Sequence, residues 1–286
     1  MELKKSLRLV CKGVNVTYYF TGVYPAAIII PPPPPSLYRP PRGEGAGIGS
    51  RKNCASEDIQ METDDLLSRE RARGEAYKLL AEFYYLPTPE LKRKLTDLEQ
   101  QMSGVCTEAV LYIKKMYEEI KRLDDLDALS LDFSRLFLGP FKMHAPPYGS
   151  VYLDDERQIM GDSTLEVRNK YRESGLDISS DFRDPPDHIA AELEFMYFLI
   201  LKEIEAIGNS DIDTAVSFLE QQRTFLREHL GAWVFDFADI IEEKAETDFY
   251  KNLARATRTF IEENFDELSD LSETEGHGDP SMSVAN

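Results

Sequence analysis

From about Asp64 onward, apolar and polar residues alternate with a helical period. Apolar side chains recur every three or four positions through Leu66, Ala76 and Phe83, which predicts a long first helix with one buried stripe. The next apolar sets have the same spacing: Leu91, Leu95, Leu98 and Met102; Val110, Ile113, Tyr117 and Ile120; Leu129, Phe133, Leu136 and Phe137. No segment alternates convincingly as a strand would, so we expect an all-α fold of about nine helices.

Capping residues and helix breakers mark several helix ends. Thr88 followed by Pro89 predicts the start of the second helix, and Gly139-Pro140 predicts the end of the fourth. Asp162-Ser163-Thr164 offers N-caps for a helix that Gly175 ends. The most apolar helix, over about residues 186–207, is expected to be central. Further helices are predicted around Phe218–Leu230, Val234–Ile241 and Phe249–Phe260.

Composition divides the chain into three parts. Residues 31–60 are rich in Pro, Gly, Ser and Arg without any period, and helical patterning begins near Met61. We therefore predict that residues 1–60 are a disordered extension or a spurious one, with translation starting at Met61. A single helical domain is expected over 61–265, and an acidic disordered tail over 266–286.

Charge limits the class of partner. Residues 1–60 hold eight Lys and Arg against four Asp and Glu, whereas residues 61–286 hold 25 against 48, a formal charge of −23. Such a surface repels nucleic acid and anionic membranes and attracts a basic peptide. The alternative is that the acids only keep a helical protein soluble.

Cysteine content and hydropathy indicate a reducing compartment and no stable membrane insertion. Of three cysteines only Cys106 lies in the predicted domain, and no stretch reaches the 18 to 20 apolar residues, roughly, that a bilayer requires. The segment Val14–Ile30 follows several basic residues, as in a secretory signal. It ends in five prolines without a convincing cleavage site, so a working signal peptide is not expected.

Candidate chemistry is sparse, because zinc-ligand spacing, phosphate-binding glycine motifs and a Gly-x-Ser-x-Gly elbow are all absent from the sequence. One cluster stands out, Asp184-Pro-Pro-Asp-His188 followed by Glu192 and Glu194. Asp187 is placed to favour a helix N-terminus, and His188 and Glu192 stand one turn apart. The cluster could serve acid–base chemistry, hold a metal in a metal-dependent hydrolase, or merely cap a helix.

A second cluster is the proline-rich loop before Tyr152. Tyr148 and Tyr152 could offer apolar area with a polar tip to a bound peptide, or could only pack the loop onto helices.

Five segments carry a resemblance to a known family: Pro146–Asp154, Gly161–Thr164, Asp184–His188, Leu230–Val234 and Ala245–Leu253. In order and spacing they closely resemble the redox-enzyme maturation chaperones of the TorD/DmsD type, nearest in motifs to DmsD. The resemblance spans about residues 65–265. It implies an all-helical cytoplasmic chaperone, not an enzyme, with a hinge between two helical halves.

The same resemblance implies a partner. Chaperones of this type bind the twin-arginine signal peptide of a dimethyl sulfoxide reductase-group molybdoenzyme subunit and hold that subunit for insertion of its molybdopterin cofactor. The chaperone itself is expected to need no cofactor and no metal. Its client cannot be named from the sequence, and either a monomer or a domain-swapped dimer is compatible.

The resemblance also implies the binding residues. The expected signal-peptide-binding set is Tyr148, Tyr152, Gly161, Asp184, Pro185, Asp187, His188 and Glu192. Tyr148 stands where tryptophan is frequent in the family, and Asp184 where glutamate is common. We expect Asp184, Asp187 and Glu192 to form an acidic rim for arginine side chains.

Overall fold

The computed structural model describes residues 6–11, 14–19, 52–139, 142–179 and 181–275. From Lys52 onward these residues form ten α-helices: α1 Lys52–Ala81, α2 Leu91–Met102, α3 Thr107–Ile120, α4 Asp127–Phe133, α5 Ser150–Leu153, α6 Asp162–Glu173, α7 Ile189–Gly208, α8 Ile212–Phe225, α9 Gly231–Lys244 and α10 Asp248–Glu275. A 3₁₀ turn at Glu82–Tyr84 follows α1, and π-helical turns at Ser134–Leu138 and Leu226–Leu230 extend α4 and α8. The predicted all-α class is confirmed for this part of the chain.

Two strands precede the helices and correct the expectation that the chain has none. β1 (Ser6–Cys11) pairs with β2 (Val14–Tyr19) in an antiparallel hairpin, in which Ser6 lies opposite Tyr19. Valine and tyrosine, which recur in these two segments, favour strands. The pattern is hard to recognise because basic residues interrupt a run that also resembles a signal sequence. Predictions for residues 20–51 and 276–286 lie outside the described residues.

The core is organised around α7, which packs against α1 and α8, while α10 packs against α3 and α9. Since α7 is apolar on nearly every side, most of its residues are buried, as predicted for the central helix. Large aromatic side chains fill the space between the helices, and those with almost no exposure include Trp233, Tyr77, Tyr171, Tyr250, Phe83 and Phe225. One continuous cluster of buried apolar residues results.

Several predicted helix ends are displaced. α2 begins at Leu91, and Thr88 does not cap it; the Thr88 carbonyl instead accepts a hydrogen bond from the Leu91 amide in the preceding turn. α1 begins at Lys52 rather than Asp64, and Leu66 is 47% exposed rather than part of the buried stripe. α10 continues beyond Phe265 to Glu275. A polar stretch can be the exposed part of a helix as well as the chain beyond its end. This explains why α1 and α10 were both predicted too short.

Glycine marks two helix ends correctly. Gly139 follows the π-helical turn with φ of 49°, and Gly175 follows α6 with φ of 78°. Both values lie in the left-handed region that glycine adopts without steric cost.

Asp132 on α4 holds the start of α10. Its Oδ2 accepts hydrogen bonds from the Thr247 amide (2.8 Å), the Thr247 hydroxyl (2.8 Å) and the Glu246 amide (3.0 Å), while Oδ1 accepts one from Arg135 Nη2 (2.9 Å). Burial alone would raise the pKa of Asp132, but the hydrogen bonds from Thr247, Arg135 and Glu246 lower it below its ordinary value. The carboxylate therefore joins α4 to α10 in its charged form.

We expect Asp132→Ala to lower the free energy of unfolding by about 2–4 kcal/mol, because it leaves buried donors without an acceptor. A depressed pKa contributes stability above the unfolded pKa that is lost as pH falls through the folded one. The deficit should therefore shrink below about pH 4. Urea unfolding followed by circular dichroism measures it. Asp124→Ala, at an exposed position, is the control, and equal losses in both variants would contradict the assignment.

Candidate functional site

Two chain segments lie side by side at the start of α7. Tyr148 and His188 form an isolated antiparallel bridge. The Gly149 amide donates to the Asp187 carbonyl (2.9 Å), and the Ile189 amide donates to the Pro147 carbonyl (2.9 Å). This backbone pairing brings together the proline-rich loop and the Asp-Pro-Pro-Asp-His segment, as the resemblance implies.

Asp187 is fully buried and caps a helix other than the expected one. Its Oδ2 accepts a hydrogen bond from the Ser150 amide (2.8 Å), at the first residue of α5. The N-cap of α7 is His188, whose Nδ1 accepts from the Ala190 amide (3.1 Å). The expectation that Asp187 serves the N-terminus of α7 is therefore wrong, because the carboxylate is directed to the neighbouring segment.

His188 is a neutral side chain in an aromatic enclosure. Burial lowers its pKa to about 4, although Asp184 and Asp187 act in the opposite direction. Because Nδ1 is the acceptor, the neutral ring carries its proton on Nε2. Tyr85 stacks on the ring at 6.3 Å, and Tyr148 and Phe182 contact it edge-on at 5.4 and 5.8 Å. A positively charged His188 is thus disfavoured at neutral pH.

Glu192 is also fully buried, and Trp233 holds it. The Trp233 Nε1 donates to Glu192 Oε2 at 3.1 Å. Burial raises the pKa of Glu192 well above its ordinary value, the hydrogen bond from Trp233 lowers it, and the charge of Asp187 raises it further. Burial therefore keeps Glu192 in its neutral form to a higher pH than an exposed glutamate.

Tyr152 and Gly149 complete this layer. The Tyr152 ring stacks on Trp233 at 5.4 Å, and its hydroxyl donates to the Pro146 carbonyl at 3.0 Å. A Cβ at Gly149 would lie 3.0 Å from Trp233 Nε1 and 3.2 Å from Glu192 Oε1. The close approach of the loop to Glu192 therefore favours glycine at this position.

Three buried oxygens in the cluster have no hydrogen-bond partner among the described residues. They are Ser150 Oγ, Asp187 Oδ1 and Glu192 Oε1. An unsatisfied buried oxygen costs about 1–3 kcal/mol. A ligand could complete the hydrogen bonds of these atoms, by donating to Asp187 Oδ1 or by pairing with the Ser150 hydroxyl or the Glu192 carboxyl.

Asp184 and Pro185 lie at the edge of the cluster. Asp184 is partly exposed, and its Oδ1 accepts a hydrogen bond from the Tyr148 hydroxyl at 2.8 Å. The Pro185 carbonyl accepts from the His188 amide at 3.1 Å. Of the three acids expected to form a rim, only Asp184 reaches the surface. The rim as predicted is not formed, because Asp187 and Glu192 are enclosed by α5 and Trp233.

Gly161 lies at the other end of α5, where it is the N-cap of α6 in place of the predicted Asp162-Ser163-Thr164. Asp154 supplies the capping side chain, accepting from the Ser163 amide (3.3 Å) and hydroxyl (3.2 Å). A Cβ at Gly161 would lie 1.8 Å from Asp154 Oδ2, so a side chain there would displace the cap.

Sequence reasoning missed the contribution of Trp233, the only tryptophan in the chain. It lies in the Leu230–Val234 motif, and a buried indole N–H generally has a hydrogen-bond partner. That signal could have directed the search to a buried acceptor such as Glu192.

Neither a group of metal ligands nor the surface cleft described below is found at the cluster. Within the described residues, no group of three or more His, Cys, Asp or Glu is arranged to hold a metal ion. A cleft of about 120 Å³ between α8 and α10 shares no residue with the cluster; its lining is Arg223, Leu226, Arg227, Phe265, Leu268 and Ser269.

A sequence model of the family described as nitrate reductase delta subunit matches residues 89–239, more than half of the chain. The chain belongs to this family. Among its relatives, the chaperone protein TorD of Aliivibrio salmonicida is 28% identical over 174 residues, which are 60% of this chain and 79% of the relative. The Tat proofreading chaperone DmsD of Salmonella typhimurium is 27% identical over 203 residues, 69% of this chain and 88% of the relative.

A third relative, the chaperone protein TorD of Psychrobacter sp. (strain PRwf-1), is 26% identical over 212 residues, 74% of this chain and 90% of the relative. Together these matches identify a redox-enzyme maturation chaperone of the TorD/DmsD type, which is not an enzyme. In the described part of this family member, no helix is both long and apolar enough to cross a membrane.

We expect Glu192→Gln to change the pH dependence of stability. A carboxyl whose pKa is raised on folding contributes stability fully present below its unfolded pKa, near 4.5, and lost as pH rises through the folded pKa. Relative to Glu192→Gln, the wild type should lose up to about 1.4 kcal/mol of unfolding free energy per pH unit from pH 5 upward, while Glu192 stays protonated.

Urea unfolding at a series of pH values from 5 to 8 tests this expectation. Taking the difference between variant and wild type cancels the opposite contribution of His188. Exposed Glu166→Gln on α6 is the matched control. Parallel pH profiles for wild type and Glu192→Gln would show that Glu192 is charged when buried.

Proposed function

We propose that this chaperone binds the twin-arginine signal peptide of a molybdopterin-containing oxidoreductase subunit in the cytoplasm. It would hold that subunit until its cofactor is inserted and folding is complete, before export. The observation that carries the proposal is the cluster of acids at the start of α7, where Asp184 meets the solvent beside aromatic rings. The name of the relative DmsD, a Tat proofreading chaperone, supports the same reading.

Charge supports a cationic ligand. Residues 61–286 have a formal charge of −23, so a peptide carrying two arginines is drawn to this surface. Asp184 is the acid of the cluster that such a peptide meets first. A guanidinium has five donors in a planar fork and can bind a carboxylate in a bidentate manner.

The buried acids would act after the first contact. Asp187 Oδ1 lacks a partner, and Asp187 Oδ2 caps α5, a helix of only four residues, through the Ser150 amide. A donor from the peptide that reached Asp187 could replace the Ser150 amide and supply the missing partner. Peptide binding and movement of α5 would then be coupled.

The partner would carry the redox chemistry. We expect the client to be a catalytic subunit of the dimethyl sulfoxide reductase group that contains the molybdopterin cofactor, while the chaperone needs no cofactor of its own. The cluster at the start of α7 offers aromatic area suited to a peptide, and Asp184 at its edge would select the arginine pair.

Isothermal titration of the full chain with twin-arginine signal peptides from molybdoenzyme subunits encoded in the same genome tests the proposal. We expect micromolar or tighter binding, and a loss of at least tenfold when both arginines are replaced by alanine. Asp184→Asn should weaken binding by about three- to tenfold, since a contact to a charged group contributes roughly 1 kcal/mol or more.

Asp213→Asn removes one negative charge from an exposed position on α8 and is the matched control. If it weakens binding as much as Asp184→Asn, only the overall field attracts the peptide. Equal affinity for the arginine and alanine peptides would refute recognition of the arginines, and absence of binding to every peptide would refute the proposed function.

A further inference from the structure

The corner between α5 and α6 exposes three large apolar side chains within seven residues. Ile159 is 40% exposed, Met160 71% and Leu165 57%. All the residues from Asp155 to Met160 are exposed as well. An apolar group of this kind beside a candidate binding site indicates an interaction surface rather than scattered surface residues.

The corner is held in a fixed shape. Asp154 closes it through the two hydrogen bonds to Ser163, and Gly161 permits the close approach of the Asp154 carboxylate. Within it, Arg157 has φ of 49° and Met160 has φ of 69°. Left-handed backbone is unfavourable for methionine, so the fold maintains a strained residue in order to present this side chain.

Local packing does not account for the exposure. Met160 immediately precedes the N-cap Gly161, and Leu165 is the fourth residue of α6, so the two occupy the positions of a hydrophobic staple. A staple shields both of its members from water. Here more than half of each side chain remains exposed, which leaves most of their apolar area available to a partner.

The start of α5 contacts Asp187 in the cluster at the start of α7, and the end of α5 leads into the corner. Asp187 holds the first residue of α5 by the Ser150 amide, and Asp154, which follows its last residue, caps α6. Four helical residues span about 6 Å. One peptide could therefore reach both ends of α5, since two or three extended residues, at about 3.3 Å each, cover that length.

We propose that this corner binds the apolar region of the twin-arginine signal peptide, while the Asp184 side of the cluster receives the arginines. The inference rests on the proposed function and deepens it, because it assigns separate surfaces to the two parts of one peptide. Residues 154–168 contain five acids and two arginines, so the apolar group lies in acidic surroundings. A cationic peptide with an apolar stretch complements both properties, whereas a second copy of this acidic corner is repelled.

The test compares two exposed leucines on helices. Leu165→Gln changes the corner, and Leu131→Gln changes a leucine on α4 that is 68% exposed. By titration calorimetry with a twin-arginine signal peptide, Leu165→Gln should weaken binding at least fivefold, and Leu131→Gln should stay within twofold of wild type. A peptide whose apolar region is replaced by serines should bind wild type weakly, with no further loss on Leu165→Gln.

A second variant separates binding from folding. Asparagine tolerates left-handed backbone better than methionine, so Met160→Asn should melt at the same temperature as wild type or higher, yet bind the peptide at least fivefold more weakly. A purely structural role for Met160 predicts no such loss.

The outcomes distinguish the two proposals. If wild type binds the peptide and both Leu165→Gln and Met160→Asn bind it equally well, the role of the corner is refuted while the proposed function stands. If wild type binds no twin-arginine peptide, both fall together.

Discussion

The burial of two acidic side chains at one place dominates the site. Asp187 and Glu192 lie within a turn and a half of one another at the start of α7, and both are fully removed from water. Burial and the nearby Asp187 raise the pKa of Glu192, whereas a backbone amide donates a hydrogen bond to Asp187. The positions of Ser150, Trp233 and Gly149 follow from this constraint, since each lies where it can approach or bond one of the two acids.

The proposed recognition of a cationic peptide would not need an exposed acidic rim. Of the three acids only Asp184 meets the solvent, whereas Asp187 is buried against the four-residue helix α5 and Glu192 against Trp233. Unsatisfied oxygens below a short helix are a source of free energy that a suitable ligand can release. In the proposed function, selectivity would depend on a ligand that both donates to Asp187 and displaces α5.

The helical class and the central helix could be predicted from sequence, because apolar spacing reports directly on which face is buried. The main contacts between helices could not, because they join residues far apart in the chain. Buried Arg73 on α1, for example, donates to Gln222 on α8 at 2.7 Å, and Gln222 donates to Glu203 on α7 at 2.6 Å. No local pattern distinguishes these side chains from surface ones.

The candidate site shows the same division. The motifs brought Tyr148, Asp184 and His188 to attention, and the structure places them together. Their sequence pattern did not reveal that Asp187 would cap α5 instead of α7, because the side chain bonds the Ser150 amide, 37 residues earlier in the chain. The hairpin Ser6–Tyr19 was missed for a related reason, since short strands with basic residues have little periodicity.

The most direct test of this account is the emission of Trp233, the only tryptophan in the chain, during titration with a tryptophan-free twin-arginine signal peptide. Because its fully buried indole donates to Glu192, we predict that its emission maximum shifts as peptide binds, with the same midpoint as the heat of binding. The peptide with both arginines changed to alanine should leave the spectrum unchanged. Binding detected by calorimetry without any change in Trp233 emission would place the peptide elsewhere and contradict the account.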